Sequence, residues 1–253
     1  MIELSDLLPA GQLGWQLMLE LTEINDSHWV LIGGQMVYLL ALEHGRTLPR
    51  ATADMDVVMD VRAKPGGVGW MARWLVEQQG FAQDVPSADG LSHRFIRRIG
   101  EGEGAIIFDV LAPEGVSETT DLTTIPPGRT VRAPGATQAL RRSRLIGVGV
   151  RSSSGDLMTG RVNCPSLVGA LVLKAAATSE ISARINPERD WSDCALLLSM
   201  LPDPFAVAAE LTKKDRKRLK KLEPLLDREH PGWAGLDDAA YRAGQTAWRL
   251  LGL

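Results

Sequence analysis

Cysteine is scarce in this 253-residue chain, which has only Cys164 and Cys194. Two distant thiols do not make a disulfide framework, so the sequence predicts a reduced, cytoplasmic protein. Histidine is scarce too, and His28, His44, His93 and His230 show no metal-ligand spacing, which argues against a zinc site of the Cys/His type. Long apolar runs are missing. The two richest stretches, Trp29 to Leu42 and Leu167 to Thr178, are interrupted by Gly33, Gly34 and Gln35 or by Lys174, and fall short of the roughly 20 residues a membrane span needs. The opening segment MIELSDLLPAGQ carries acids where a secretory signal would carry Lys or Arg, and no internal repeat is present. What remains is 45% hydrophobic and 23% charged, the composition of a globular protein with a real core, not of a disordered, collagen-like or coiled-coil chain.

The net charge of −3 conceals a division. Residues 1 to 120 hold 8 Lys and Arg against 17 Asp and Glu, whereas residues 121 to 253 hold 20 against 14. An acidic first half suits a metal-binding carboxylate cluster, and a basic second half suits a polyanionic partner.

The pattern predicts an α+β protein: a mixed sheet with flanking helices over residues 1–165, then a helical domain over 166–253. Leu4 to Asn25 reads as one or two helices. HWVLI, residues 28–32, reads as a strand halted by Gly33 and Gly34, after which a helix runs to about Gly45. DMDVVMDV (54–61) is a second strand, 65–79 a helix, and LSHRFIRRI and AIIFDVLAP are two further strands flanking the turn-rich GEGEG. Residues 112–128 form a long surface connection, followed by strand-like pieces in TVRAPG, RLIGVGVRS and GRVNCPS. Helices are expected over 166–183, 187–201, 204–226 and 236–251, with Pro at or near each start.

In DMDVVMDV the period of two puts Asp54, Asp56, Val58 and Asp60 on one face and Met55, Val57 and Met59 on the other. Like charges this close normally mean water, a base or a divalent cation between them. Upstream, Gly33 and Gly34 lie between strand and helix, where missing side chains let phosphate oxygens approach backbone N–H groups at the positive helix end. Taken with Arg50, Thr52, Asp54 and Asp56, the order Gly-Gly, helix, Arg-x-Thr-x-Asp-x-Asp resembles the signature of the nucleotidyltransferase superfamily of the polymerase β type. That resemblance implies that the strand carboxylates hold divalent metal ions and that the Gly-Gly turn grips an NTP, with Arg50 and Thr52 on its phosphates. It also implies a third carboxylate on a later strand, for which Asp109 is the candidate and Asp190 or Asp193 the alternative. Asp54, Asp56 and Asp109 would then cage two Mg²⁺ ions, one activating a hydroxyl and the other neutralising the departing pyrophosphate.

A second block, LVLKAAATSEISARINPERDWSDCALLL, carries Lys174, Arg184, Arg189, Asp190 and Asp193. It is similar to the C-terminal part of the AbiEii and MenT type toxins, nucleotidyltransferases of abortive-infection and toxin–antitoxin systems, although Cys194 stands where that group has Leu. This likeness implies a catalytic or triphosphate-binding Lys174, a nucleotide-binding Asp193, a tRNA 3′ end as acceptor and a cognate antitoxin as partner. Other branches of the superfamily imply a small acceptor such as an aminoglycoside-like antibiotic, and a catalytically silent RNA- or partner-binding module is the non-enzymatic alternative. The run KKDRKRLKK, Lys213 to Lys221, is either a solvated face or an RNA backbone contact that Arg141, Arg142 and Arg144 could extend. Trp70, Trp74, Trp191 and Trp248 fall at core positions of the expected helices.

Overall fold

The computed structural model describes residues 1–5, 7–47, 54–100, 104–151, 155–178 and 188–253. The chain opens with a short strand β1 (Ile2–Leu4), which no sequence pattern announces, and then the helix α1 (Pro9–Ile24), where proline at the first turn leaves no backbone donor to satisfy. β2 (Trp29–Ile32) runs straight into α2 (Gly33–Glu43), so the Gly-Gly pair is the first turn of the helix and not a loop before it. β3 (Met55–Met59), α3 (Gly67–Arg73), β4 (Ala82–Gln83), β5 (Arg94–Arg98) and β6 (Ala105–Pro113) complete the first half. α3 continues as one π-helical turn over Trp74–Gln78.

The main sheet has the strand order β2-β3-β6-β5-β4, and β7 (Arg132–Ala133) pairs with the far end of β6. β2 is antiparallel to β3, β3 is parallel to β6, and β5 is antiparallel to β6. Its register sets one row across four strands: Ile32 opposite Asp56, Asp56 opposite Asp109, and Asp109 opposite Arg94. Register partners point to the same face of a sheet, so this row determines which side chains can meet. On the other face Met55 lies against Gly14 of α1.

After α4 (Ala136–Arg141), a second sheet is built by β8 (Ser143–Arg151) and β9 (Leu157–Pro165), an antiparallel pair to which β1 adds in parallel. Asn163 Nδ2 on β9 donates to the Trp29 carbonyl on β2 at 2.6 Å, joining the hairpin to the edge of the main sheet. Trp15 Nε1 on α1 donates to Gln35 Oε1 on α2 at 3.1 Å within the core. α5 (Leu167–Ala177) follows, capped by Ser166, and all its residues are buried, as expected of a helix that is apolar all round.

α6 (Glu188–Ser199) and α9 (Asp238–Leu250) match their expected positions within a few residues. The single helix expected over 204–226 is instead three pieces: α7 (Pro204–Glu210), α8 (Lys213–Leu219) and a 3₁₀ segment Lys220–Leu226. Leu211 is extended, and Thr212 and Asp215 form a capping box that starts a new helix two residues later. One buried hydrophobic cluster runs from Leu4 through the sheet residues Val57 and Phe108 and through Leu171 to Leu251. Among the described residues no single helix is long and apolar enough to cross a membrane.

Gly135 is where α4 turns under α5. It has φ +87°, and a Cβ there would stand 2.7 Å from the Leu173 Cα. Gly135→Ala therefore combines a left-handed backbone with a collision against main chain, and is expected to lower stability by about 2–4 kcal/mol in denaturant titrations. Wild-type stability for that variant would contradict this packing of α4 under α5.

Candidate active site

Asp54 and Asp56 leave β3 on the same face, as the strand period requires, and both are half-buried. Asp109, which is 6% exposed, stands beside Asp56 on the next strand. From the other side comes Gly33, with φ +70°, packed so closely that a Cβ would sit 1.8 Å from Asp56 Oδ2. Two motifs that the sequence places far apart, the Gly-Gly pair and the Asp-x-Asp strand, are therefore in contact. No side chain caps the first turn of α2, whose positive end lies next to the Asp56 carboxylate. Asp60, on the same face in sequence, instead accepts from the backbone N–H groups of Arg62 and Ala63 at 3.1 and 3.3 Å and holds its own turn.

Of the three carboxylates that the resemblance groups together, Asp109 is engaged by an arginine. Asp109 gives both oxygens to Arg94, which donates from Nε at 2.9 Å and Nη2 at 2.7 Å. Among the described residues no group of three or more His, Cys, Asp or Glu side chains is arranged to hold a metal ion. The negative charge of Asp54 and Asp56 is only partly offset. Burial, then the charge of Asp109, pushes the Asp56 pKa up to about 7, opposed by Lys174 and Arg94. Burial and Asp109 likewise raise that of Asp54, with Arg94 and Arg189 opposing. Two hard oxygen donors held together against their own repulsion fit one divalent cation.

Lys174 reaches the site electrostatically, since its charge is felt at Asp56. Its ammonium, however, lies between Asp193 Oδ2 at 2.7 Å and Asp190 Oδ1 at 3.1 Å. Burial works against that charge, and Asp193 and Asp190 outweigh it, holding the lysine pKa above its usual range. Asp193 is 1% exposed and Lys174 8% exposed, so both are engaged with each other within the protein, not presented to a ligand at the surface. Arg50 and Thr52, as well as Arg184, lie outside the described residues. Sequence reasoning does not single out Arg94, although it lies opposite Asp109 in the antiparallel pair β5–β6. Arg189, named in the second sequence block without a role, acts on Asp54 through its charge.

The cation-rich run around α8 divides by residue type. Arg218 turns inward to Glu114 Oε1 at 2.7 Å, and Arg216 Nη2 donates to the Ala208 carbonyl at 2.6 Å. Arg142 pairs with the buried Asp215 at 3.2 Å, and Arg144 pairs with Glu43. Lys213, Lys214, Lys217, Lys220 and Lys221 are exposed. Glu114, directly after β6, also accepts from the Thr137 backbone N–H at 3.0 Å. Burial alone would raise its pKa, yet Arg218 and Thr137 bring it below the usual glutamate range.

Folding raises the Asp56 pKa from 3.8 to about 7, so the folded chain holds a proton there that the unfolded chain releases. The sign follows: in metal-free buffer this group makes the protein less stable as pH rises from about 4 to about 7, with no further loss above that. Asp56→Asn is expected to remove the slope and to raise the melting temperature near pH 8 by several degrees, measured by thermal melts in a chelator. Gly33→Ala is expected to displace the carboxylate and abolish any stabilisation by added Mg²⁺. Retention of that stabilisation would contradict the contact between Gly33 and Asp56.

No protein-family model matches the sequence, and no curated protein matches it significantly. Solved structures do align with it. The crystal structure of an antigenic nucleotidyltransferase-like protein from Paracoccidioides brasiliensis aligns over 96% of this chain and 95% of its own, with a TM-score of 0.53 and 13% identity. The solution structure of the antibiotic-resistance factor ANT(2'')-Ia covers 96% of this chain and 93% of its own at 12% identity, with a TM-score of 0.35, too low to bear on the fold. The first of these likenesses bears on the fold, and the fold of this chain is nucleotidyltransferase-like.

Proposed function

We propose that this protein is a Mg²⁺-dependent nucleotidyltransferase that moves a nucleoside monophosphate from an NTP to a hydroxyl group and releases pyrophosphate. The observation that carries this reading is the packing of Gly33 against Asp56 beside Asp54, which sets the uncapped start of α2 next to paired carboxylates. A triphosphate does not share so small a volume with two carboxylates unless a cation stands between them. Mg²⁺ held by Asp54 and Asp56 would supply that charge and favour the ionised form of the attacking hydroxyl. The backbone N–H groups of Gly33 and Gly34 donate to phosphate oxygens, and the sequence resemblance gives Arg50 and Thr52 the same task. Lys174, fixed by Asp190 and Asp193, keeps a positive charge behind Asp56 and positions α6 against α5. The chemistry then rests on orientation and charge neutralisation.

The likeness of the second sequence block to the AbiEii and MenT toxins extends the reading to a toxin of an abortive-infection or toxin–antitoxin system, with a tRNA 3′ end as acceptor and an antitoxin as partner. A polymeric acceptor would draw on the exposed lysines of α8, of which Lys214 pairs with Glu114 at 3.7 Å. Glu114 lies five residues beyond Asp109, about 17 Å at strand spacing, so an acceptor that used both places would have to be extended.

Incubation with each labelled NTP, Mg²⁺ and either total RNA or an aminoglycoside mixture tests the activity and the acceptor. Asp54→Asn and Asp56→Asn are each expected to reduce transfer by about 10³-fold or more while the fold persists. Wild-type transfer by both variants would end the metal-dependent reading. Neutralising Lys213, Lys217 and Lys220 together is expected to weaken RNA binding and to flatten the log–log salt dependence by about 0.7 for each phosphate of a single strand that the variant no longer neutralises, leaving NTP binding in place. An unchanged slope would favour the small-molecule acceptor.

A further inference from the structure

Arg94 occupies an unusual position for a cation in a site that has to bind metal. β5 sets it directly opposite Asp109 in the antiparallel register, in the same row that carries Asp56. Its guanidinium meets the Asp109 carboxylate fork to fork, at 2.9 and 2.7 Å, the geometry of a strong charge-assisted pair. Asp109 is almost wholly buried, while the Arg94 side chain is 41% exposed. The positive charge of Arg94 acts on Asp54 and Asp56 as well as on Asp109. Nη1 is not used by Asp109.

We propose that Arg94 takes the place of a second metal ion. The site binds one divalent cation, at Asp54 and Asp56, and the second positive charge is a guanidinium covalently fixed to the sheet and oriented by Asp109. Asp109 is then not a metal ligand but the residue that positions Arg94. The physical reason is charge: Asp109 lies between Asp56 and Arg94 in the row, and its carboxylate is already neutralised by the two-point guanidinium contact from β5, so a second metal ion shared with Asp56 would gain little attraction there and would stand close to a fixed positive charge. A fixed cation suits phosphate, because guanidinium binds phosphate oxygens as readily as carboxylate oxygens and keeps its charge at every accessible pH. Nη1 is the edge left to meet an NTP.

This inference rests on the reading of Asp54 and Asp56 as a metal site, and a metal titration separates the two. Mn²⁺ binding to the full chain, followed by electron paramagnetic resonance of the unbound ion without nucleotide, is expected to give one ion per wild-type chain. Arg94→Gln is expected to give two, because Asp109 becomes available to bridge. The paired variant Arg94→Gln with Asp109→Asn removes both charges at near-constant volume, which buried pairs commonly tolerate, and so covers the case in which the single variant does not fold. It is expected to bind one ion with affinity within about threefold of wild type, since no ligand has been removed. Two ions on the wild-type chain would overturn the inference and leave the metal site standing. So would one ion on Arg94→Gln, or a loss of affinity of about tenfold or more in the paired variant. No Mn²⁺ on the wild-type chain would overturn the metal reading itself and this inference with it.

Discussion

Asp56 and Asp109 stand side by side on adjacent parallel strands that are otherwise apolar, and much of the molecule answers that placement. Charge in such surroundings is tolerated only where opposite charge or hydrogen-bond donors converge on it. β5 brings Arg94 to one end of the row, the helical half brings Lys174 within electrostatic reach, and Gly33 gives up a side chain so that the start of α2 can close on Asp56. Asp54, next to β3, adds a further negative charge that Arg94 and Arg189 partly offset. The folding of the sheet thus stores negative potential at one point, and the surrounding elements leave part of it unmatched.

The helical half handles buried charge in the opposite manner, by matching it locally. Lys174 is enclosed by Asp190 and Asp193, Arg142 by Asp215, and Arg218 by Glu114. These pairs add little net stability over apolar packing, because desolvation offsets most of their attraction, yet each is costly to break singly. They fix the order in which α4, α5, α6 and α8 can pack, since a shift along any one of these helices would leave a charge alone in the interior.

The strand face shared by Asp54 and Asp56 is legible from period two, and the strand–Gly-Gly–helix order from the position of the glycines. These are local signals, and the local geometry obeys them. The contact between Gly33 and Asp56 is not legible, because it depends on β2 and β3 pairing antiparallel with Ile32 opposite Asp56. Asp109 stands out as a lone acid in an apolar run, but its partner does not, although Arg94 and Asp109 lie almost symmetrically about GEGEG in the sequence. Lys174 reads in the sequence as a lone cation on an apolar face. Its acids come from a helix more than ten residues downstream, and nothing in the spacing reveals that the two helices meet there. The break at Leu211 is present in the sequence as Thr212 and Asp215, a start signal concealed inside a run of good helix formers.

β6 carries Asp109 near its middle and delivers Glu114 just past its end, where Arg218 of α8 is clamped. A strand hydrogen-bonded on both sides does not stretch, so the interval between the carboxylates and the exposed lysines is set by peptide geometry and not by a flexible tether. On the proposed reading, an acceptor whose backbone lay on α8 would present to the carboxylates the atom one fixed length away, and the length of a strand would then decide which part of it is reached.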